Sequence, residues 1–207
     1  MGGARGRGVF IELTEYLRCP VLHETEMHLI LVPDRMVGRM VLEGTIGCPV
    51  CRLEYPVRGG VAWFGEDVSA RPPVPAPDLG LVEAVRALLS LSNPGGYVVL
   101  IGAAVALAPA LASAMGGIHF VGVNPPAGTE VTPSLSLLVH PTLVPLRRAI
   151  ARGVVMGAES SASWLEEGAR VLLGGLRLVV LRTDTEAPAG LERLASGQGL
   201  WVGEKRR

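Results

Sequence analysis

Net charge is what this 207-residue chain lacks: 19 Lys and Arg offset 19 Asp and Glu. No global field therefore draws it to nucleic acid or to an anionic membrane surface. Cysteine is scarce too, with three in all. Two of them stand as Cys48-Pro-Val-Cys51, and a C-x-x-C turn supplies only half of a tetrahedral zinc site. The opening "MGGARGRG" has no apolar core, so it is not a secretory signal, and it reads as a short basic, disordered lead-in. Few cysteines and no signal together point to a reducing cytosol, where metal outranks disulfide. Residues 97–118 lack any charged side chain and are long enough to span a bilayer. Pro109 and Gly116-Gly117 interrupt that run, however, and its flanks "YVVLI" and "IHFVGV" read as strands. A buried strand, a helix and a second buried strand give the same hydropathy inside a globular domain. A membrane-anchored binding protein stays open as one alternative.

What is present divides the chain. Residues 9–66 show short apolar runs split by turns, a small β-rich module with a helix at its start. Residues 67–80 include "SARPPVPAPDLG", whose prolines favour an extended connector. Residues 81–205 open with the helical "LVEAVRALLSL" and then alternate strands with helices. Strands are expected near 97–101, 118–123, 134–139, 153–156, 176–181 and 200–204. Helices are expected near 104–115, kinked at Pro109, and near 162–172 and 187–195. Alternation of this kind implies βαβ units and a mostly parallel sheet.

A module of about 60 residues buries little apolar surface, and a structural metal is a common remedy. Upstream of the knuckle, "RCPVLHETEMH" offers Cys19, His23 and His28. The repeated Cys-Pro-Val (19–21 and 48–50) suggests two equivalent turns, the first with Leu22 where a second thiol would stand. Cys19, His23, Cys48 and Cys51 then form a Cys3His zinc set. His28 falls on a strand as a surface residue. The competing reading keeps all three cysteines as small buried hydrophobes.

"LTEYLRCPV" followed by "GCPVCRLEYPVRGGVAWF" resembles the zinc-ribbon activator subunits of tRNA and protein methyltransferases, over residues 13–64. Behind the linker, "VVLIGAAVALAPAL", "HFVGVNPP" and "WLEEGARVLLGGLRLVV" resemble three motifs of class I S-adenosylmethionine-dependent methyltransferases. The resemblance implies an α/β chain: a zinc-ribbon-like module ahead of a Rossmann-like doubly wound sheet. It implies vestigial cofactor contacts at Gly102 and Asn124. Leu100 stands where the family has an acid, Ala104 and Ala106 replace glycines, and Asn124 replaces the ribose carboxylate. Four such departures argue against S-adenosylmethionine. The resulting expectation is a cytoplasmic, non-catalytic methyltransferase-like protein that binds a protein partner or itself. An active methyltransferase with a divergent pocket is the alternative.

No other group of residues competes. Ser160, Ser161 and Ser163 read as a helix N-cap cluster, with Glu166 at capping-box distance from Ser163. Arg147, Arg148 and Arg152 read as a solvated face, and "GEKRR" as a solvated tail. His119 and His140 have no acid or thiol near them in sequence from which to build a triad.

Overall fold

The computed structural model describes residues 8–65 and 71–207. The basic lead-in (all but its last residue) and the start of the Pro-rich linker lie outside the described residues. The first half contains β1 (Val9–Phe10), a 3-10 turn (Ile11–Tyr16), β2 (Ile30–Val37), β3 (Met40–Gly47), β4 (Glu54–Arg58) and β5 (Val61–Trp63). The second half contains α1 (Leu79–Leu89), β6 (Tyr97–Ile101), a 3-10 segment (Gly102–Leu107), α2 (Ala108–Ala114) and β7 (His119–Val123). It continues with β8 (Leu135–Val139), β9 (Ala151–Met156), α3 (Ala162–Val171), β10 (Leu172–Val180), β11 (Leu191–Gly197) and β12 (Leu200–Lys205).

The twelve strands of the described residues belong to one sheet, ordered β1-β3-β4-β5-β8-β7-β6-β9-β10-β12-β11, with β2 pairing on β3. Counting from β6, the first five strands run 3-2-1-4-5 and are parallel, as in doubly wound folds. β12 then inserts antiparallel between β10 and β11. The two halves join through main-chain pairing. β5 lies parallel to β8, matching Val61 with Leu137 and Trp63 with Val139.

Two apolar cores flank this sheet. One lies under α1 and α2 and includes Val85, Leu89, Leu107, Leu111 and Phe120. The other runs through both halves, from Leu13, Leu17, Cys19 and Ile46 to Val144, Leu146, Trp164 and Trp201. The connection from β8 to β9 has no helix, and the N-terminal segment covers that face instead. Leu17 bridges to Leu146, Arg18 N–H donates to Pro145 O (3.2 Å) and Arg147 N–H to Tyr16 O (2.8 Å). Phe10 N–H donates to Ser136 Oγ (2.8 Å), and the Phe10 ring stacks on His119 at 4.7 Å.

The uncharged 97–118 run folds as strand, 3-10 segment and short helix. Among the described residues no helix is long and apolar enough to cross a membrane. Pro109 sits in the first turn of α2, where its missing N–H would have no intrahelical partner, and not in mid-helix as expected. The expected helix near 187–195 is strand β11. Gln198 (φ 50°) and Gly199 (φ 78°) make a two-residue hairpin turn, and β12 offers a free edge that outweighs the helical spacing of Leu191, Leu194 and Ala195. Ser161 is the N-cap of α3 but makes no side-chain cap bond; its hydroxyl pairs with that of Ser163 at 2.8 Å.

An arginine and a lysine expected in solvent, Arg152 and Lys205, are structural instead. Arg152 Nη1 donates to the carbonyls of Asn93, Pro94 and Gly95, and Arg147 is half-buried. Lys205 Nζ donates to Ala169 O and Leu172 O, both at 2.7 Å, and so satisfies the C-terminal carbonyls of α3.

Burial holds His119 and His140 neutral, with pKa values lowered to about 4. For His140, Arg18 adds to the lowering and Glu167 partly offsets it. Its Nδ1 accepts N–H bonds from Thr142 and Leu143, which fixes the neutral tautomer. Unfolded histidines take up protons near pH 6.5, whereas these two do not until about pH 4. In that window the unfolded chain binds more protons, so stability rises with pH across it, by up to about 1.4 kcal/mol per pH unit per histidine. Urea melts between pH 7.5 and 4.5 should therefore lose stability below pH 6.5. The double variant His119→Gln, His140→Gln should flatten that slope. A wild-type chain equally stable at pH 6.5 and 4.5 would show that the two rings are not held neutral.

Candidate metal centre and cofactor crevice

The second knuckle is a tight turn with a left-handed residue, Arg52 (φ 61°). Cys48 N–H donates to Leu53 O and Arg52 N–H to Cys48 O, both at 2.9 Å. This fold brings Cys48 and Cys51 to one side. The first turn is anchored by Cys19 N–H donating to Met27 O (3.1 Å). Leu22 is thrown into solvent, 95% exposed, and the next residue, His23, turns inward.

Ligand atoms of Cys19, His23, Cys48 and Cys51 all lie within 4.8 Å of one another. Cys19 Sγ stands 3.7 Å from Cys51 Sγ, and Cys48 Sγ stands 3.5 Å from His23 Nε2. Zn–S bonds of about 2.3 Å and Zn–N bonds of about 2.0–2.1 Å set tetrahedral edges of about 3.8 Å (S···S) and about 3.5–3.6 Å (S···N). Those two edges match, and the donor set is one that zinc favours. His28 is exposed and lies outside the group.

Protonation within the group is uneven. Burial pushes Cys19 up to about 11, with the Tyr55 hydroxyl, 3.6 Å away, working against it. Burial also opposes the Cys48 thiolate, but backbone N–H groups of Cys51 and Val50 aimed at its sulfur outweigh it, bringing that thiol to about 7. Burial beside the thiols raises the Tyr55 hydroxyl. A bound dication would favour the thiolate at every sulfur.

The second site of interest lies beyond the carboxyl end of β6, where doubly wound sheets hold their ligands. Gly102 is left-handed there (φ 64°), and the next N–H, of Ala103, points into the crevice. A side chain already occupies it. Glu159 Oε1 accepts the Ala103 N–H at 2.8 Å and pairs with Arg71 Nη1 at 2.9 Å. Gly102 and Gly157 make the room, since a Cβ on either would run into the Glu159 carboxylate. Asn124, at the end of β7, is buried and committed elsewhere: Nδ2 donates to His140 O (2.8 Å) and Oδ1 accepts His140 N–H (3.0 Å).

Gly102 and Asn124 thus follow the carboxyl ends of the paired strands β6 and β7, while the four metal-ligand candidates form a separate cluster. Sequence reading missed Arg71, Tyr55 and Glu159. Tyr55 lies inside the quoted "GCPVCRLEYPVRGGVAWF"; nothing local marked the other two, which meet across 88 residues.

No protein-family model matches the chain, and no curated protein does. Similar solved structures include an Anabaena variabilis protein named as a methyltransferase from an antibiotic biosynthesis pathway. It is 23% identical over 53% of this chain and 47% of its own, with a TM-score of 0.45. The chain thus spans about half the length of that protein. The antibiotic-resistance methyltransferase Kmr is 15% identical over 61% of this chain and 93% of its own, TM-score 0.44. The complex of the Haloferax volcanii Trm112 methyltransferase activator with a protein named as a methyltransferase gives 17% identity over 61% and 90%, TM-score 0.46. The fold is Rossmann-like by its own topology, with five parallel strands in the order 3-2-1-4-5.

Proposed function

We propose that this methyltransferase-like protein does not transfer methyl groups and works as a binding or scaffold component. In this reading residues 9–66 form a zinc ribbon, 67–80 a linker and 81–205 a degenerate methyltransferase-like domain. Zinc is structural, held by Cys19, His23, Cys48 and Cys51, and fixes two turns that no other cross-link holds. The observation that carries the reading is Glu159, an internal anion seated on the Ala103 N–H where a cofactor would meet the sheet. Leu100 and Ala104, both fully buried, and half-buried Ala106 support it, because none of the three side chains can supply a charge to a ligand. Exposed Leu22, Ile30, Val32, Val50 and Leu53 on the ribbon support a protein partner or self-association. The cytoplasm is the compartment that suits three free thiols.

Titration calorimetry with S-adenosylmethionine tests this. Two lost charge-assisted contacts, at about 1.5–3 kcal/mol each, weaken binding by roughly a hundredfold or more. The titration should be flat at micromolar ligand. A clear heat of binding, or a cofactor that co-purifies, would put the enzyme reading first.

A further inference from the structure

The crossover from β7 to β8 runs through residues 124–134 without a helix. It leaves an apolar trough on the face that α2 shares. Residues 72–78, outside any helix or strand, run beside it, tied at one end where Arg71 bridges to Pro126 and its carbonyl accepts the Ala127 N–H (2.9 Å). Val74, Pro75, Ala76 and Pro77 of this strap line the trough. The space beneath measures about 660 Å³ and is walled by Val74, Pro75, Val105, Ala106, Ala110 and Leu135. That lies within the roughly 300–1,000 Å³ of sites that take small organic molecules. A second cavity of about 220 Å³ shares Val74 and Pro126 with it and carries Arg71, Ala103 and Glu159.

We propose that these two cavities together bind an amphipathic monocarboxylate, its apolar chain in the larger and its head group on Arg71 and the Ala103 N–H in place of Glu159. The head-group seat is already built for a carboxylate, because it holds one. A guanidinium and a main-chain N–H converge on a single oxygen, so the seat takes a carboxylate, and the apolar chamber beside it selects a hydrocarbon tail over a polar, cationic one. Glu159 is exposed, on the turn after β9, so its side chain can leave for water without unpicking the sheet. The larger chamber explains why a chain should follow the head group: its walls offer mostly hydrocarbon, and burying an alkyl chain there removes apolar surface from water. The inference rests on Glu159 acting as an internal plug, part of the functional reading above, but it concerns a different ligand.

Decanoate, decanol and acetate separate the contributions of chain and head group in calorimetry on the full chain. Decanoate should bind, decanol about tenfold or more weaker, and acetate not measurably. Arg71→Gln should bring decanoate down to the level of decanol. Glu159→Gln keeps the shape of the plug but removes its charge, and should tighten decanoate about tenfold. Ala110→Phe should abolish binding by filling the chamber; Ala106→Phe replaces it if that variant does not fold. Equal affinity for decanoate and decanol overturns the proposal, as does decanoate binding untouched by Arg71→Gln or by the filled chamber. No binding of decanoate overturns it too. A flat decanoate titration leaves the S-adenosylmethionine result standing, so the two readings fail separately.

Discussion

Cys48→Ser will abolish zinc binding and destabilise the whole chain, not the N-terminal part alone. Structural zinc contributes an apparent 10–16 kcal/mol or so in isolated zinc-finger peptides, comparable to the entire stability of a domain. Cys48 and Cys19 belong to the apolar core that also contains Trp164 and Trp201. The sheet is continuous through β5 and β8. Loosening the knuckles therefore frees β3 and β4, then β5, and exposes the face covered by Leu13 and Leu17. The sequence alone suggests a ribbon that melts by itself. The shared core predicts instead one transition, with near-ultraviolet circular dichroism and tryptophan fluorescence falling together in chelator or in the variant. Elemental analysis of protein purified without chelator should find about one zinc per chain. Absence of zinc there, or a variant that loses only its N-terminal signals, would contradict this.

Arg170→Ala carries the next largest expected loss. Its guanidinium donates to Leu146 O (2.8 Å), Val144 O (2.7 Å) and both oxygens of Glu167 (2.8 Å each). Glu167 in turn accepts the Val144 N–H at 2.9 Å and lies 3.6 Å from Arg18. Burial works against the Glu167 carboxylate, but Arg170 and the Val144 N–H outweigh it and hold its pKa below the ordinary carboxylate range. Removing the arginine leaves a largely buried charge and two carbonyls without their partner, which typically costs about 3–5 kcal/mol. The loop 144–148 is the one that pairs with residues 16–18, so the same change should loosen the N-terminal segment. Denaturant melts should show a lower midpoint, and hydrogen exchange should quicken first at Arg18 and Arg147. Arg170→Lys should recover part of the loss, since a lysine restores the charge but not the fork of donors. A melt unchanged in Arg170→Ala would mean that the network stabilises nothing.

The features legible in the sequence are local ones. Cys48 and Cys51 declare themselves by spacing, and Cys19 with His23 by the repeated Cys-Pro-Val turn. The runs "YVVLI" and "IHFVGV" announce buried parallel strands because both faces of such a strand are covered. What stayed hidden depends on partners distant in the chain. β11 has the apolar spacing of a helix and becomes a strand because β12 stands beside it. Lys205 reads as a tail residue until α3 presents its carbonyls 33 to 36 positions away. Glu159 meets Ala103 across 56 residues, and its two enabling glycines, Gly102 and Gly157, look ordinary in a chain with 27 of them. The joining of β5 to β8 was invisible for a plainer reason: it is made by main-chain groups, which every residue but proline carries alike.

That junction also fixes a stoichiometry. Two proteins that meet edge to edge separate on dilution, and the fraction assembled depends on how much of each the cell makes. Here the two edges lie on one chain, with residues 64–78 between β5 and α1, so their encounter is intramolecular, at an effective concentration of about millimolar for a short connector. The N-terminal strands are always present at one copy per doubly wound sheet, and a separately made copy of them would have to displace them to reach β8. The edge strand that would otherwise invite pairing with other chains is closed from the moment the chain folds.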